Sequence, residues 1–367
     1  MTTTPMAPAS GRIRFVASLL AALVLCAQGF ARDPSSEKDA FEITPTLPRV
    51  AFSADGRRVA ALSETTPDTP ARVAIFDRDN RAIHFGSGAY ATAPTAFAYA
   101  HKNTRRGFLV RQMAVGERDA TISLWDADSN RQMGSLQGHH AKVNSLVFSR
   151  DNSRLLSASD DRTAILWNVD AYVSMATFKS SRGPVIRAEF LGNQWVALAS
   201  ENGGVHVFEM TSGLEVRTFA GLRGSELTAL AVSEHGNLMA TALEDATVQL
   251  WATGSGTLLR TLRGHDRAVE GLSFVPDGRL LASASRDGRV LLWDANSGMQ
   301  VGSFAGHGAD VMDVAFSPSG LQLATTSLDH TIRLWDVGSR SEIERFVFDE
   351  DTARSAVADW SLYSSDR

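Results

Sequence analysis

Cysteine is almost absent: Cys26 stands alone among 367 residues. It falls in an apolar leader, so once that leader is removed no thiol remains, and disulfides, cysteine nucleophiles and cysteine-ligated metals are excluded from the mature chain. A charge excess of one sign is missing too. Acidic residues number 41 against 36 basic, a net charge of −5 that becomes −7 when Arg12 and Arg14 leave with the leader. Nothing in this balance favours nucleic acid or an anionic membrane surface as a partner. The chain also lacks a glycine-rich phosphate loop, a His-Glu-x-x-His pair and a calcium loop of spaced carboxylates. His84, His101, His140, His206, His235 and His330 are scattered without metal-ligand spacing. No cofactor, metal site or catalytic residue is expected.

The first residues differ from the rest. Arg12 and Arg14 occur without any acid, the apolar run Phe15–Ala27 follows, and small residues precede Arg32-Asp33. This layout predicts a secretory signal peptide over 1–31, cleaved after Ala31, and hence export to the periplasm or outside the cell. Phe15–Ala31 is at the short limit for a spanning helix, so retention as an anchor is the alternative. Leu23-Val24-Leu25-Cys26 is similar to a bacterial lipoprotein cleavage box, with Leu25 where a small residue is expected. A membrane association is expected only if the leader is retained or lipidated.

What the chain does have is a period. Trp125, Trp167, Phe208, Trp251, Trp293 and Trp335 follow one another at 42, 41, 43, 42 and 42 residues. Gly138-His139, Gly264-His265 and Gly306-His307 open units that close on Leu-Trp-Asn or Leu-Trp-Asp. Within a unit, apolar residues alternate in short runs, as strands with a neighbour on each face require; the third predicts strands at 143–149, 154–159, 164–168 and 172–178. A Gly-His opening and Trp-Asp close at this period signal four-stranded propeller blades. The chain thus resembles the WD40 repeat family over roughly 48–348. With Val73–Asp77 as an earlier third strand, the expected fold is all-β: a seven-bladed β-propeller of four-stranded antiparallel blades, after a linker or closing strand at 32–47 and before a tail at 349–367. The ring can close through an outer strand at Ile343–Phe348 or through Phe41–Thr44. The tail segment Ala356–Ser364, with Trp360, reads as a further strand without an assigned place.

His139, Ser157, Asp161 and Trp167 are spaced by 18, 4 and 6 residues, and His265, Ser283, Asp287, Trp293 and His307, Thr325, Asp329, Trp335 repeat that spacing. Serine, histidine and aspartate could form a hydrolase triad, but an active site is made once and this group is made per blade. A hydrogen-bond chain that satisfies a buried indole N–H accounts for the repetition, and the resemblance implies the same structural role. Blade five keeps Thr241, Asp245 and Trp251 but has Arg223 at the histidine position; blade four has Asn202 and Phe208; blade two keeps only Asp119 and Trp125.

In the absence of catalytic chemistry, function is expected from recognition on the face where a propeller's loops converge. The resemblance places there Lys142, Asn144, Asp160, Ile186, Glu201, Glu226, Thr228, Glu244, Glu270, Arg286, Asp310, Met312 and Leu328. Six of these are acidic and two basic, which implies an acidic rim for a basic protein or peptide, with Met312, Leu328 and Ile186 as apolar anchors. The expected function is a non-catalytic scaffold or binding subunit; a propeller enzyme with a metal or cofactor at the central channel is the alternative. Lys102, Arg105, Arg106 and Arg111 beside His101 and Phe108 form a second candidate, for an anionic ligand. Amide hydrogen exchange should be slower in blades three, six and seven, with complete chains, than in blades one, two and four; uniform protection would contradict this.

Overall fold

The computed structural model describes residues 49–62, 73–79, 83–85, 92–100, 104–105, 108–109, 112–129, 131–180, 182–201, 204–219 and 225–347. The leader at 1–31, the segment 32–47 with Phe41–Thr44, the tail at 349–367 with Trp360, and Lys102, His101, Arg106, Arg111, Asn202 and Arg223 lie outside them.

Seven four-stranded antiparallel sheets follow one another along the chain, each running in sequence order from an inner to an outer strand. Their inner strands are Val50–Phe52, Pro94–Tyr99, Val143–Phe148, Val185–Leu191, Leu227–Val232, Val269–Phe274 and Val311–Phe316. Each inner strand neighbours the next around the ring, and the last neighbours the first. In blade three the strands are Val143–Phe148, Arg154–Ser159, Thr163–Asn168 and Val173–Lys179, within a residue of the periods read from the sequence. Blade two carries an insertion after its inner strand, where Thr104–Arg105 pairs with Phe108–Leu109 as a separate hairpin.

Burial explains why this sequence makes sheets with two dry faces. The second strand is buried over nearly all its length in every blade, as in Leu280–Ser285, whereas the outer strand Thr257–Leu262 is exposed at every residue except the last. Side chains on both faces of the middle strands are therefore covered, by the blades on either side. The core consists of wedges between blades. One joins Leu136 and Leu124 of blade two to Trp167 and Leu155 of blade three; another joins Leu250 and Leu262 of blade five to Leu281 and Trp293 of blade six. Closure uses the same device. Phe52, Val59 and Phe76 of blade one pack on Ala324, Ile332 and Leu334 of blade seven, and Phe76 lies 4.5 Å from the Phe346 ring. Blade seven takes its outer strand from Glu342–Val347, the C-terminal of the two candidates. Asp313 of blade seven accepts the Val50 N–H of blade one at 3.0 Å.

Near the axis the sheets converge, and glycine permits the approach. A Cβ on Gly271, in the inner strand of blade six, would lie 2.8 Å from the Asp313 Cα of blade seven. Gly271→Ala should lower stability by about 1–3 kcal/mol, as over-packing does. Gly254→Ala, in open space, should stay within about 0.5 kcal/mol. Chemical denaturation of the two variants measures the difference.

Candidate functional site

Three blades hold the same hydrogen-bond chain. In blade three, His139 Nδ1 lies 2.8 Å from Asp161 Oδ2, its Nε2 lies 2.7 Å from Ser157 Oγ, and Trp167 Nε1 donates to that oxygen at 2.8 Å. Blade six repeats this through Asp287, His265, Ser283 and Trp293 at 2.8, 2.7 and 2.8 Å. Blade seven has 2.9, 2.7 and 2.9 Å through Asp329, His307, Thr325 and Trp335. The carboxylate can only accept, so Nδ1 carries the proton, Nε2 accepts from the hydroxyl, and the hydroxyl accepts from the indole. Burial holds the His139 and His307 imidazoles below their usual range despite the adjacent aspartates, as this neutral tautomer requires. Burial would raise Asp161, but bonds from Thr163, the His140 N–H and His139 outweigh it and hold the carboxyl low. Asp287 and Asp329 are held low in the same way. The residue after each aspartate takes positive φ, 70° at Arg162 and 61° at His330. The serine hydroxyls are fully buried and engaged, so they offer no nucleophile to a substrate.

The other blades depart from this pattern in ways the spacing alone does not reveal. In blade five, Trp251 Nε1 donates to Thr241 Oγ1 at 3.0 Å, and Asp245 Oδ1 accepts from the Thr247 N–H and hydroxyl at 3.0 and 2.6 Å. No imidazole joins them among the described residues. Gln249, 9% exposed, lies opposite Thr241 in the sheet, and its Oε1 is buried with no hydrogen-bond partner among the described residues. In blade four Leu198 and Phe208 replace hydroxyl and indole, and His206 enters from the third strand with Nδ1 2.8 Å from Glu215 Oε1. Blade two buries Glu117 against Ser123 Oγ at 2.5 Å and the Thr92 N–H at 3.0 Å, while Asp119 accepts the Thr121 N–H at 3.0 Å. Blade seven places Arg333 at the same register, bonded to Glu342 at 2.8 Å. The signal is the residue two before each Trp or Phe: Ser123, His206, Gln249 and Arg333 are polar where Ile165 and Leu291 are aliphatic.

The thirteen candidate docking positions fall into distinct environments. Glu270 is 3% exposed with Arg286 Nε 2.6 Å away, and burial raises its carboxyl in spite of that cation. Met312 is 4% exposed. At that burial neither can meet a partner as the rim required. Asn144 donates to Asp160 at 2.6 Å and to the Val185 carbonyl of the next blade at 3.0 Å; Thr228 donates to the Val269 carbonyl likewise. These two tie blades together. Asp160 lies 3.5 Å from Lys142, and Asp310 lies 2.9 Å from Arg267. Ile186 and Leu328 are half-buried, Ile186 against the wedge between blades four and five. Glu201, Glu226 and Glu244 remain: all are exposed, with no cation in ion-pair range among the described residues. Glu244 N–H donates to the Glu226 carbonyl at 3.0 Å, so the two loops of blade five meet.

Other charges sit on the inner strands or, as with Arg49, directly before one. Burial lowers Arg49 and raises Asp313, each opposed by the other's charge. Glu189, in the inner strand of blade four, is pushed up to about 8 by burial alone. Among the described residues no group of three or more His, Cys, Asp or Glu side chains is arranged to hold a metal.

The family model described as the WD domain, G-beta repeat, matches at 130–168, 213–252, 256–294 and 298–336. The first match starts at the outer strand of blade two and ends with the third strand of blade three, so each repeat straddles two blades. Among curated relatives, nuclear distribution protein PAC1 of Arthroderma otae is 30% identical over 45% of this chain and 31% of its own. Periodic tryptophan protein 2 homolog of Dictyostelium discoideum is 26% identical over 42% of this chain and 17% of its own. Apoptotic protease-activating factor 1 of Danio rerio is 25% identical over 62% and 17% respectively. The chain thus spans less than a third of the length of these relatives. Together the four repeat matches and the ring of seven sheets show a β-propeller fold whose repeats are similar to the WD domain, G-beta repeat.

Glu189 gives a pH dependence of known sign. Its folded value of about 8 lies above the unfolded carboxyl near 4.3, so its contribution to stability is fully present below about pH 4 and is lost as pH rises through 8. Glu189→Gln should match the parent in melting temperature near pH 4.5 and exceed it increasingly up to pH 8–9. Glu189 is half-buried, so between those two values each rise of one in pH costs the parent at most about 1.4 kcal/mol, and a gap that stayed constant with pH would contradict the desolvated carboxyl.

Proposed function

We propose that this WD40-type propeller is a non-catalytic interaction scaffold whose docking face lies over blades four and five, and that its partner presents a basic protein segment there. The observation that supports it most is the contrast among the six rim acids: Asp160, Asp310 and Glu270 have cations beside them, whereas Glu201, Glu226 and Glu244 have none in ion-pair range among the described residues. Exposed carboxylates without local counter-charge attract a basic surface and repel nucleic acid, and they raise the rate of encounter more than the final affinity. The leader features at 1–31 support action after export, in the periplasm or outside the cell; lipidation at Cys26 or retention of the leader would hold the propeller on the membrane.

One observation favours a second reading. Glu189 and Asp313 on inner strands, and Arg49 just before one, are perturbed titratable groups at the place where a propeller enzyme would hold a metal or cofactor. Metal analysis and native mass of the purified chain test it, with a stoichiometric bound group as the supporting result.

The scaffold reading is tested by replacing Glu201, Glu226 and Glu244 together with Lys and comparing capture from envelope extract at low and moderate salt. The parent should retain a stoichiometric, salt-sensitive protein partner, and the variant should lose at least nine-tenths of it. Equal retention would remove this face from consideration.

A further inference from the structure

The outer strands are the open edges of the blades, and nearly all of them are guarded. A free edge presents unpaired N–H and C=O groups to any strand that can lie beside it, and charge, short length or a covering group blocks that approach. In blade one the outer strand is only the three-residue Ile83–Phe85. Blade two carries Arg131 on this strand, blade four Arg217, blade five Arg260, and blade seven Glu344 and Arg345. Blade six has no charge in Gln300–Ala305, but Arg340 of blade seven donates to its Val301 carbonyl at 2.5 Å.

Blade three is the exception. Its outer strand Val173–Lys179 is the longest of the seven, and no charged residue occurs between Asp170 and Lys179. At the register where blades four and five place Arg217 and Arg260, which reach the Thr253 and Ser297 carbonyls of the following blades, blade three has Ala176. Val173 is 52% exposed, Met175 53%, and Tyr172 just before them 38%. Among the described residues the strand pairs only with Thr163–Asn168, on its inner side. A bulge at Met175 recurs at the same register in blades two and four to seven, so it does not set this edge apart.

A strand that can lie along such an edge is extended and uncharged in its middle. The run Ala171–Phe178 itself meets that description. Laid antiparallel against an identical run it opposes no like charges, and Val173 and Met175 of each copy gain apolar neighbours. Asp170 at one end is then brought to the end of the other copy that carries Lys179, whereas a parallel arrangement would set like beside like at both ends. We propose that the outer strand of blade three is an interface for a second copy of this chain, the two strands pairing edge to edge and antiparallel so that two four-stranded blades become one continuous sheet. The pair is closed by a two-fold axis and stops at two copies. It stands independently of the docking face proposed above and bears on how that face is displayed. The strand runs toward the loop-bearing side, ending at Lys179 opposite Thr163, whose hydroxyl bonds Asp161. Antiparallel pairing therefore turns the loop-bearing faces of the two copies in opposite directions.

The test is sedimentation equilibrium of the purified full-length chain from low micromolar to near-millimolar concentration, with and without a charge placed in the middle of the edge. The parent is expected to show a monomer–dimer equilibrium. Thr177→Lys, at an exposed position in the regular part of the strand, should raise the dimer dissociation constant at least about tenfold by setting like charges on either side of the two-fold axis. Thr177→Glu should do the same. An equimolar mixture of the two variants should recover dimer as the mixed pair, which a failure to fold could not produce. Thr261→Lys, exposed at the same register on the guarded edge of blade five, should leave the equilibrium as in the parent. A parent that stays monomeric throughout would overturn the interface, as would a dimer indifferent to both Thr177 substitutions. A mixture that does not recover dimer would overturn the antiparallel pairing of two copies, and an equal loss on Thr261→Lys would overturn the choice of blade three.

Discussion

The structure depends on covering both faces of a narrow sheet. A lone four-stranded blade of this sequence would expose alanine, valine and leucine on either side, at about 25 cal/mol for every Å² of apolar surface left in water. Each blade therefore has its stability in its two neighbours, and the first blade has no second neighbour until the seventh arrives. The wedge of Phe52, Phe76, Ile332 and Leu334 and the bond from Val50 to Asp313 complete the set. Everything on the loop-bearing face, including the acidic loops of blades four and five, is positioned by that closure.

Within this frame the buried indoles set the second constraint. Trp167, Trp293 and Trp335 each bring one donor into a dry wedge, and the chain through hydroxyl, imidazole and carboxylate conducts that donor's requirement outward to the loops. The same residues fix the left-handed turn after the aspartate. Where the indole is replaced, as at Phe208, the requirement disappears and the neighbouring register is free to hold His206. Where the indole stays and the imidazole goes, as in blade five, Thr241 still accepts the indole and Asp245 accepts from Thr247.

The repeat and the fold class were legible because a period of about 42 residues and a fixed quartet leave few alternatives, and the turn residues mark hairpins at the places where they occur. Legibility failed where a position's exposure depends on the adjacent blade. Glu270 and Met312 occupy the register of docking residues, yet both are buried. Asn144 and Thr228 read as surface polar residues and instead reach the carbonyls of the next blade. Polar residues two before the Trp position, such as Gln249 and Arg333, looked like ordinary strand residues because their significance lies in what a different strand does or does not supply.

The offset between repeat and blade, with 130–168 giving its first strand to blade two and the rest to blade three, bears on how the molecule comes apart. Because a repeat straddles two blades, no stretch of chain can be released without opening two sheets, and in a closed ring each sheet already lies against two others. A linear solenoid frays from its ends one unit at a time; this ring has no such end. Damage at any single wedge is shared by the whole circle, which favours all-or-none unfolding and leaves little room for a partly open propeller with its loop-bearing face intact.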